Sequence, residues 1–411
     1  MHRYDYKHIH WIIHILYLCL SYITHKHHAF VQINKKTSLI MLHFVLIFLT
    51  LFIILQTTSS SPFTNSALRN TSFKAFIVCV LIMCFLSAFR SSIVGNDTES
   101  YIYIFEQAED YLLHGSRFEI GYVYLNYCLS HLTKNPQIAL IVTSLFIYYS
   151  FGRFTWRHSA IPWISVLLFF ISNFGGTVNI VRQYVAMGIL LWAVEFTVKR
   201  NLIYFLISLS IASLFHYSAF FFAPVYFLSL LSLNRKTIFY ILGGGFVGYL
   251  FFEPILNYAF SYFTMYEYYS EGKYFEGEAR VATYMQIFIS TIISFFAYQA
   301  YNKNKDIEWR ESEDGKYVKL MILFQFVALA LYLMCIRVNL LDRIATYYSV
   351  YSFINIANAI SLSHLSRRKI YTYIAIFFFF VYTSIVITYR PEWNRVYPYL
   401  FCWQDSKNIN Y

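Results

Sequence analysis

Four ionisable side chains stand where an otherwise apolar sequence should hold none. Arg90 ends LIMCFLSAFR, Arg182 lies in NIVRQYVAMGILLWAV, His216 in SLFHYSAFFFAP and Arg343 in VNLLDRIATYY. An ionised group deep in a bilayer costs about 2.5–3.5 kcal/mol on insertion scales, so such residues line a polar cavity or its mouth. Asn179, Arg182, Gln183 and Ala186 share one helical face by i, i+3, i+4 spacing. A guanidinium fork beside amides suits a phosphate or diphosphate, which Arg grips in bidentate fashion. Snorkelling to lipid headgroups is the alternative for Arg182, and a local pair with Asp342 is the alternative for Arg343. His216 can accept a proton from a hydroxyl near neutral pH, or be a tip residue satisfied by backbone. Asp97, in IVGNDTESY, can act as a base, orient one, or close an Asx turn.

The elements that must position these residues are membrane helices. The chain has 411 residues, 58% hydrophobic and 13% charged, against about 25% charged in soluble domains. Mean hydropathy is +0.48. These values exclude a soluble enzyme, a disordered chain and a nucleic-acid-binding domain. Apolar runs recur at 39–55, 73–89, 137–151, 162–178, 180–198, 201–215, 217–233, 237–252, 283–301, 317–337, 343–362 and 370–388. The expected fold is therefore all-α, a polytopic helical membrane protein with about 10–13 transmembrane helices. The short Tyr-rich segment 121–131 is read as lying on the membrane or dipping into it.

With that reading, Arg69, Lys74, Arg153, Arg157, Lys199, Arg200, Arg235, Lys236, the five basic residues from Lys303 to Lys319, and Arg367 to Lys369 all fall in loops on one side. That asymmetry is the positive-inside pattern, and it accounts for the net charge of +11 without nucleic acid. The opposite loops, 90–136 and 253–282, are acidic. All four ionisable residues then point to the acidic side.

The domain expected to span the membrane is 39–389, with a C-terminal tail at 390–411. Residues 1–38 form a His-rich extension that is expected to be untranslated, with the start at Met41, or disordered. Gly244 and Gly248 are read as a GxxxG packing face. Asn355 and Asn358 are read as interhelical hydrogen bonds, and the tyrosines from Tyr258 to Tyr274 as an interfacial belt. The six cysteines are read as core residues. No Walker, HExxH, GxSxG or aspartate-rich motif occurs, so no metal or cofactor is expected.

Several islands, in order, resemble the EpsG family of bacterial polysaccharide-polymerase-like membrane proteins, relatives of the Wzy O-antigen polymerases. They are FRSSIVGNDTESY (89–101), FEIGYVYLN (118–126), NIVRQYVAMGILLWAVEF (179–196), ISLSIASLFHYSAFFFAPVYF (207–227), DRIATYYSVY (342–351) and RPEWNRVYPYLF (390–401). The resemblance implies a bacterial inner-membrane protein, with a GT-C-like fold by analogy. Its substrate would be an undecaprenyl-diphosphate-linked oligosaccharide on the outer face. A flippase and a chain-length regulator of the same pathway would be its partners beside the lipid bilayer. The implied reaction is glycosyl transfer between lipid-linked repeat units. His216 or Asp97 would be the base, and Arg182, Arg343, Arg90, Asn179, Gln183 and Glu119 would bind substrate. A flippase for the same lipid-linked glycan and a membrane O-acyltransferase are the competing classes.

Overall fold

A computed structural model describes residues 66–251, 281–338, 341–397 and 399–404. The span at 39–55, the His-rich extension and the tyrosines from Tyr258 to Tyr274 lie outside the described residues, as does nearly all of the loop 253–282. The described chain is all-helical, its one β feature being an isolated bridge between Arg90 and Phe401. A helix satisfies every backbone polar group within its own segment, which a bilayer demands.

In chain order the helices are α1 (Ser66–Ala88), α2 (Thr98–Glu106), α3 (Ala108–His114), α4 (Ile120–Leu132), α5 (Gln137–His158), α6 (Pro162–Asn179), α7 (Val181–Val198) and α8 (Leu202–Phe215). A 3-10 turn, Tyr217–Phe222, leads to α9 (Val225–Leu228). There follow α10 (Arg235–Leu250), α11 (Val281–Lys303), α12 (Ile307–Glu311), α13 (Glu313–Met334), α14 (Leu341–Ser349), α15 (Ser352–Leu362) and α16 (Leu365–Tyr389).

Among the described residues, five helices are long and apolar enough to cross a membrane: α5, α7, α11, α13 and α16. This establishes a polytopic membrane protein, with fewer full-length spans among the described residues than their hydropathy suggests. Two breaks explain part of the difference. The 201–233 hairpin holds the 14-residue α8, a 3-10 turn and the four-residue α9. At about 1.5 Å per residue, α8 is roughly 21 Å long, short of a ~30 Å hydrocarbon core. The run 343–362 is two helices, α14 and α15, broken at Val350 and Tyr351. Side chains on α13 tie both flanks of that break: Tyr332 Oη donates to Ser349 Oγ at 2.8 Å, and Ser352 Oγ donates to Gln325 Oε1 at 2.8 Å. Segment 121–131 is the 13-residue α4, also too short to cross.

The core sits around α7 and α13, each with 72% of its apolar window buried, while α16 at 11% is peripheral. Asn355 and Asn358 behave as expected: Asn355 Nδ2 donates to Met321 O at 2.8 Å, and Asn358 bridges Ala160 N and His158 O. The glycine packing face is shifted by one. A methyl at Gly244 would meet nothing, whereas one at Gly245 would come within 2.7 Å of Ala330 Cβ. The close contact of α10 with α13 therefore uses Gly245 and Gly248, the latter against Met334. Cys79, Cys84 and Cys335 are buried, but Cys128 and Cys402 are exposed, so the core reading holds for only part of the set.

The acidic region 90–136 is mostly helical, and α2 and α4 bury Tyr101, Ile104, Tyr122 and Val123. Residues 391–404, expected as a tail, fold back over it. Ser91 N donates to Leu400 O at 2.9 Å, Gly95 N to Arg395 O at 3.0 Å and Cys402 N to Phe89 O at 2.9 Å. Tyr399, Leu400 and Phe401 are buried there.

Candidate active site

Three helix ends converge on one carboxylate. Glu119 precedes α4, His216 follows α8, and Arg182 sits in the first turn of α7. Gly121 allows the approach, since a Cβ there would lie 2.7 Å from the Leu214 carbonyl oxygen. His216 Nδ1 lies 2.7 Å from Glu119 Oε1, and Arg182 Nη1 donates to Glu119 Oε2. The Arg182 guanidinium also lies over the Phe118 ring, 5.2 Å from its centroid. Burial acts to raise the Glu119 carboxyl, but the His216 hydrogen bond and the Arg182 charge outweigh it and hold it below the usual range. An ionised carboxylate only accepts, so its partner Nδ1 carries a proton, and in the neutral ring His216 Nε2 is then the acceptor.

Asp97 precedes α2 and its side chain caps nothing. Its backbone N–H donates to Asn179 Oδ1 at 3.2 Å. Gly95, at φ 89°, makes the turn that brings it there, with a would-be Cβ 2.9 Å from Val178 O. Burial pushes the Asp97 carboxyl up, opposed by the charges of Arg343 and Arg182. Asp97 therefore faces both guanidinium groups, beyond ion-pair distance. Arg343, in the first turn of α14, is exposed and has no ion pair among the described residues. The pairing with Asp342 offered by the sequence does not form; Asp342 Oδ1 accepts from Gln286 Nε2 at 3.0 Å.

One expectation changes. Asn179 and Arg182 do not share a helix, because Ile180 (φ −97°, ψ 57°) separates α6 from α7. Asn179 instead supports the Asp97 turn and donates from Nδ2 to Asn394 Oδ1 at 3.4 Å. Gln183 Nε2 donates to the Arg343 carbonyl at 2.6 Å, so it locks α7 to the start of α14. Glu119 has both oxygens engaged, which makes it a clamp on His216 and Arg182.

Arg90 is not brought to this cluster. It is fully buried, with Nε donating to Thr98 Oγ1 at 3.2 Å and Nη1 to Ser87 O at 2.5 Å. Its carbonyl accepts from Gln137 Nε2 at 3.2 Å. Arg90 thus joins the end of α1 to the start of α2.

Asn394 and Phe118 are contacts that the sequence reading did not single out. Both lie inside motifs quoted above, but nothing in their type separates them from their neighbours. Among the described residues, no three His, Cys, Asp or Glu side chains gather into a metal-binding group.

No curated protein and no solved structure matches the chain. The EpsG family matches residues 73–401, which include every residue of the cluster and most of the returning segment that braces it. Because that match covers most of the sequence, from α1 to Phe401, the chain belongs to the EpsG family.

Proposed function

We propose that this EpsG-family membrane protein is a polysaccharide polymerase. It joins oligosaccharide repeat units carried on a lipid diphosphate, undecaprenyl diphosphate in the bacterial inner membrane, into capsular, exo- or O-antigen polysaccharide. The observation that carries the reading is the braced imidazole: Glu119 holds His216 at Nδ1, so that the neutral ring presents Nε2 as acceptor, near Arg343, which has no ion pair among the described residues.

As an acceptor hydroxyl oxygen attacks the anomeric carbon of the donor sugar, its proton passes to His216 Nε2. The bond from that carbon to the diphosphate oxygen breaks, and its electron pair leaves with the lipid diphosphate. Arg343 meets the growing negative charge as a donor, with Arg182 held by Glu119. Asp97 faces both cations and is the second group able to receive the proton.

Purified protein given lipid-linked repeat units tests this. The expected product is a ladder of chain lengths on a gel, and Arg343→Lys should shorten it by keeping charge while losing the planar fork. Translocation without chain growth, or acyl transfer, would overturn the reading in favour of a flippase or an O-acyltransferase.

A further inference from the structure

At the far end of α7 from Arg182, two cations share one acceptor. Arg200 donates from Nη1 to Ser229 Oγ at 2.7 Å and from Nη2 to Ser229 O at 3.3 Å. Lys319 Nζ donates to the same Ser229 oxygen at 3.2 Å. The guanidinium and the ammonium are therefore no further apart than two hydrogen-bond lengths. Neither has a carboxylate at ion-pair distance among the described residues, unlike Arg153 at the same end, which is matched by Glu195. Like charges this close repel, and the repulsion is strongest where water is scarce. Lys319 is only partly exposed. Arg200 also holds a left-handed backbone at φ 59°, disfavoured for any residue with a Cβ. Tyr226 Oη donates to its carbonyl at 3.3 Å.

We propose that Arg200 and Lys319 form a binding site for the phosphate of an anionic lipid headgroup. A tetrahedral phosphate diester presents oxygens to a guanidinium and an ammonium at once, and it removes the repulsion between them. The surface beside the pair selects a lipid over a free anion. Ile203, Phe227, Leu230 and Leu231 are exposed and apolar, a wall that acyl chains cover and inorganic phosphate cannot use. Basic pockets between transmembrane helices bind anionic headgroups by this combination. The site is independent of the polymerase reading.

The test is thermal unfolding of the full-length protein in phosphatidylcholine nanodiscs as phosphatidylglycerol is introduced. The wild type should gain a saturable rise in Tm. Arg200→Gln with Lys319→Gln should lose most of that rise. Lys199→Gln with Lys236→Gln removes the same charge nearby and should keep it. Equal rises in both double variants would overturn the site, leaving only general surface attraction. An equal rise from inorganic phosphate would overturn the lipid assignment. Should the first double variant fail to fold, native mass spectrometry of wild type and Lys319→Gln decides: a retained phosphatidylglycerol in the wild type, lost in the variant, supports the site, and equal retention or none overturns it.

Discussion

Glu119 and Glu195 each hold an arginine and a histidine, at opposite ends of α7. Arg182 and Glu195 are separated by roughly 20 Å of helix. At the Glu195 end, Arg153 engages both carboxylate oxygens at 2.8 Å, and Arg157 approaches at 3.7 Å. His158 Nε2 lies 3.3 Å from Glu195 Oε1 while its ring packs 3.8 Å from Tyr317 and 4.5 Å from Phe154, centroid to centroid. Aromatic rings thus pack against that histidine, and its Nδ1 is buried with no hydrogen-bond partner among the described residues. At the Glu119 end one arginine nitrogen and one imidazole nitrogen divide the carboxylate, and Arg343 and Asp97 stand beside it without ion pairs of their own among the described residues. The same three residue types make a closed strut in one place and an open cluster in the other. What separates them is which imidazole nitrogen meets the carboxylate and what surrounds the other.

The largest expected effect tests the two histidines directly. His216→Ala should lower turnover by about 10²–10⁴-fold, the range for a lost general base, with expression and Tm close to wild type. His158→Ala should do the reverse, lowering Tm while activity per folded molecule holds. Loss of Tm in the first variant with activity per folded molecule retained would make both ends struts.

Next come the two glutamates. Glu195→Ala strands the half-buried Arg153 and should cost about 3–5 kcal/mol, the usual result of removing one partner of a buried pair. Folded yield and thermal unfolding in detergent measure it. Glu119→Gln keeps the shape of the clamp and should lose activity through His216 orientation more than stability. A larger fall in Tm for Glu119→Gln than for Glu195→Ala would reverse the assignment.

The smallest effect is in acid. Glu119 is held below the usual carboxylate range in the fold, so its pairing stabilises above the ordinary value of about 4.3 and is lost as pH falls through the lower folded value. Asp97 has the opposite sign, because its raised carboxyl favours the folded state on protonation. The wild type should therefore lose Tm below about pH 4.3 more steeply than Glu119→Gln. Parallel curves from pH 7 to 3 would show that the clamp carries no linked charge.

The cost of placing charge in an apolar run made Arg182, His216 and Arg343 legible in the sequence, and the structure gathers all three. The helical class was legible for the same reason. Their pairings were not. Glu119 is one acid among several in residues 90–119, and only the close approach at Gly121 selects it. Hydropathy already parts the runs 162–178 and 180–198, but the i, i+3, i+4 spacing assigns Asn179 to the second helix, whereas the break at Ile180 leaves it as the last residue of the first. Arg90 shows the limit of the same cost argument. An arginine in an apolar segment must find hydrogen-bond partners, but local acceptors such as Ser87 O and Thr98 Oγ1 meet part of that need within the core. The one-residue shift from Gly244 to Gly245 lies below what a repeated GGG can resolve.

The returning segment 391–404 also imposes an order on biogenesis. Tyr399 donates to the Leu86 carbonyl across 313 residues of sequence, and this segment closes over the buried Arg90. At about 5–20 residues per second, a ribosome reaches it some tens of seconds after α1 has emerged. Throughout that interval the end of α1 carries an unroofed guanidinium beside half-built helices. Only when translation has passed Phe401 can the segment close over that guanidinium and complete this corner of the bundle.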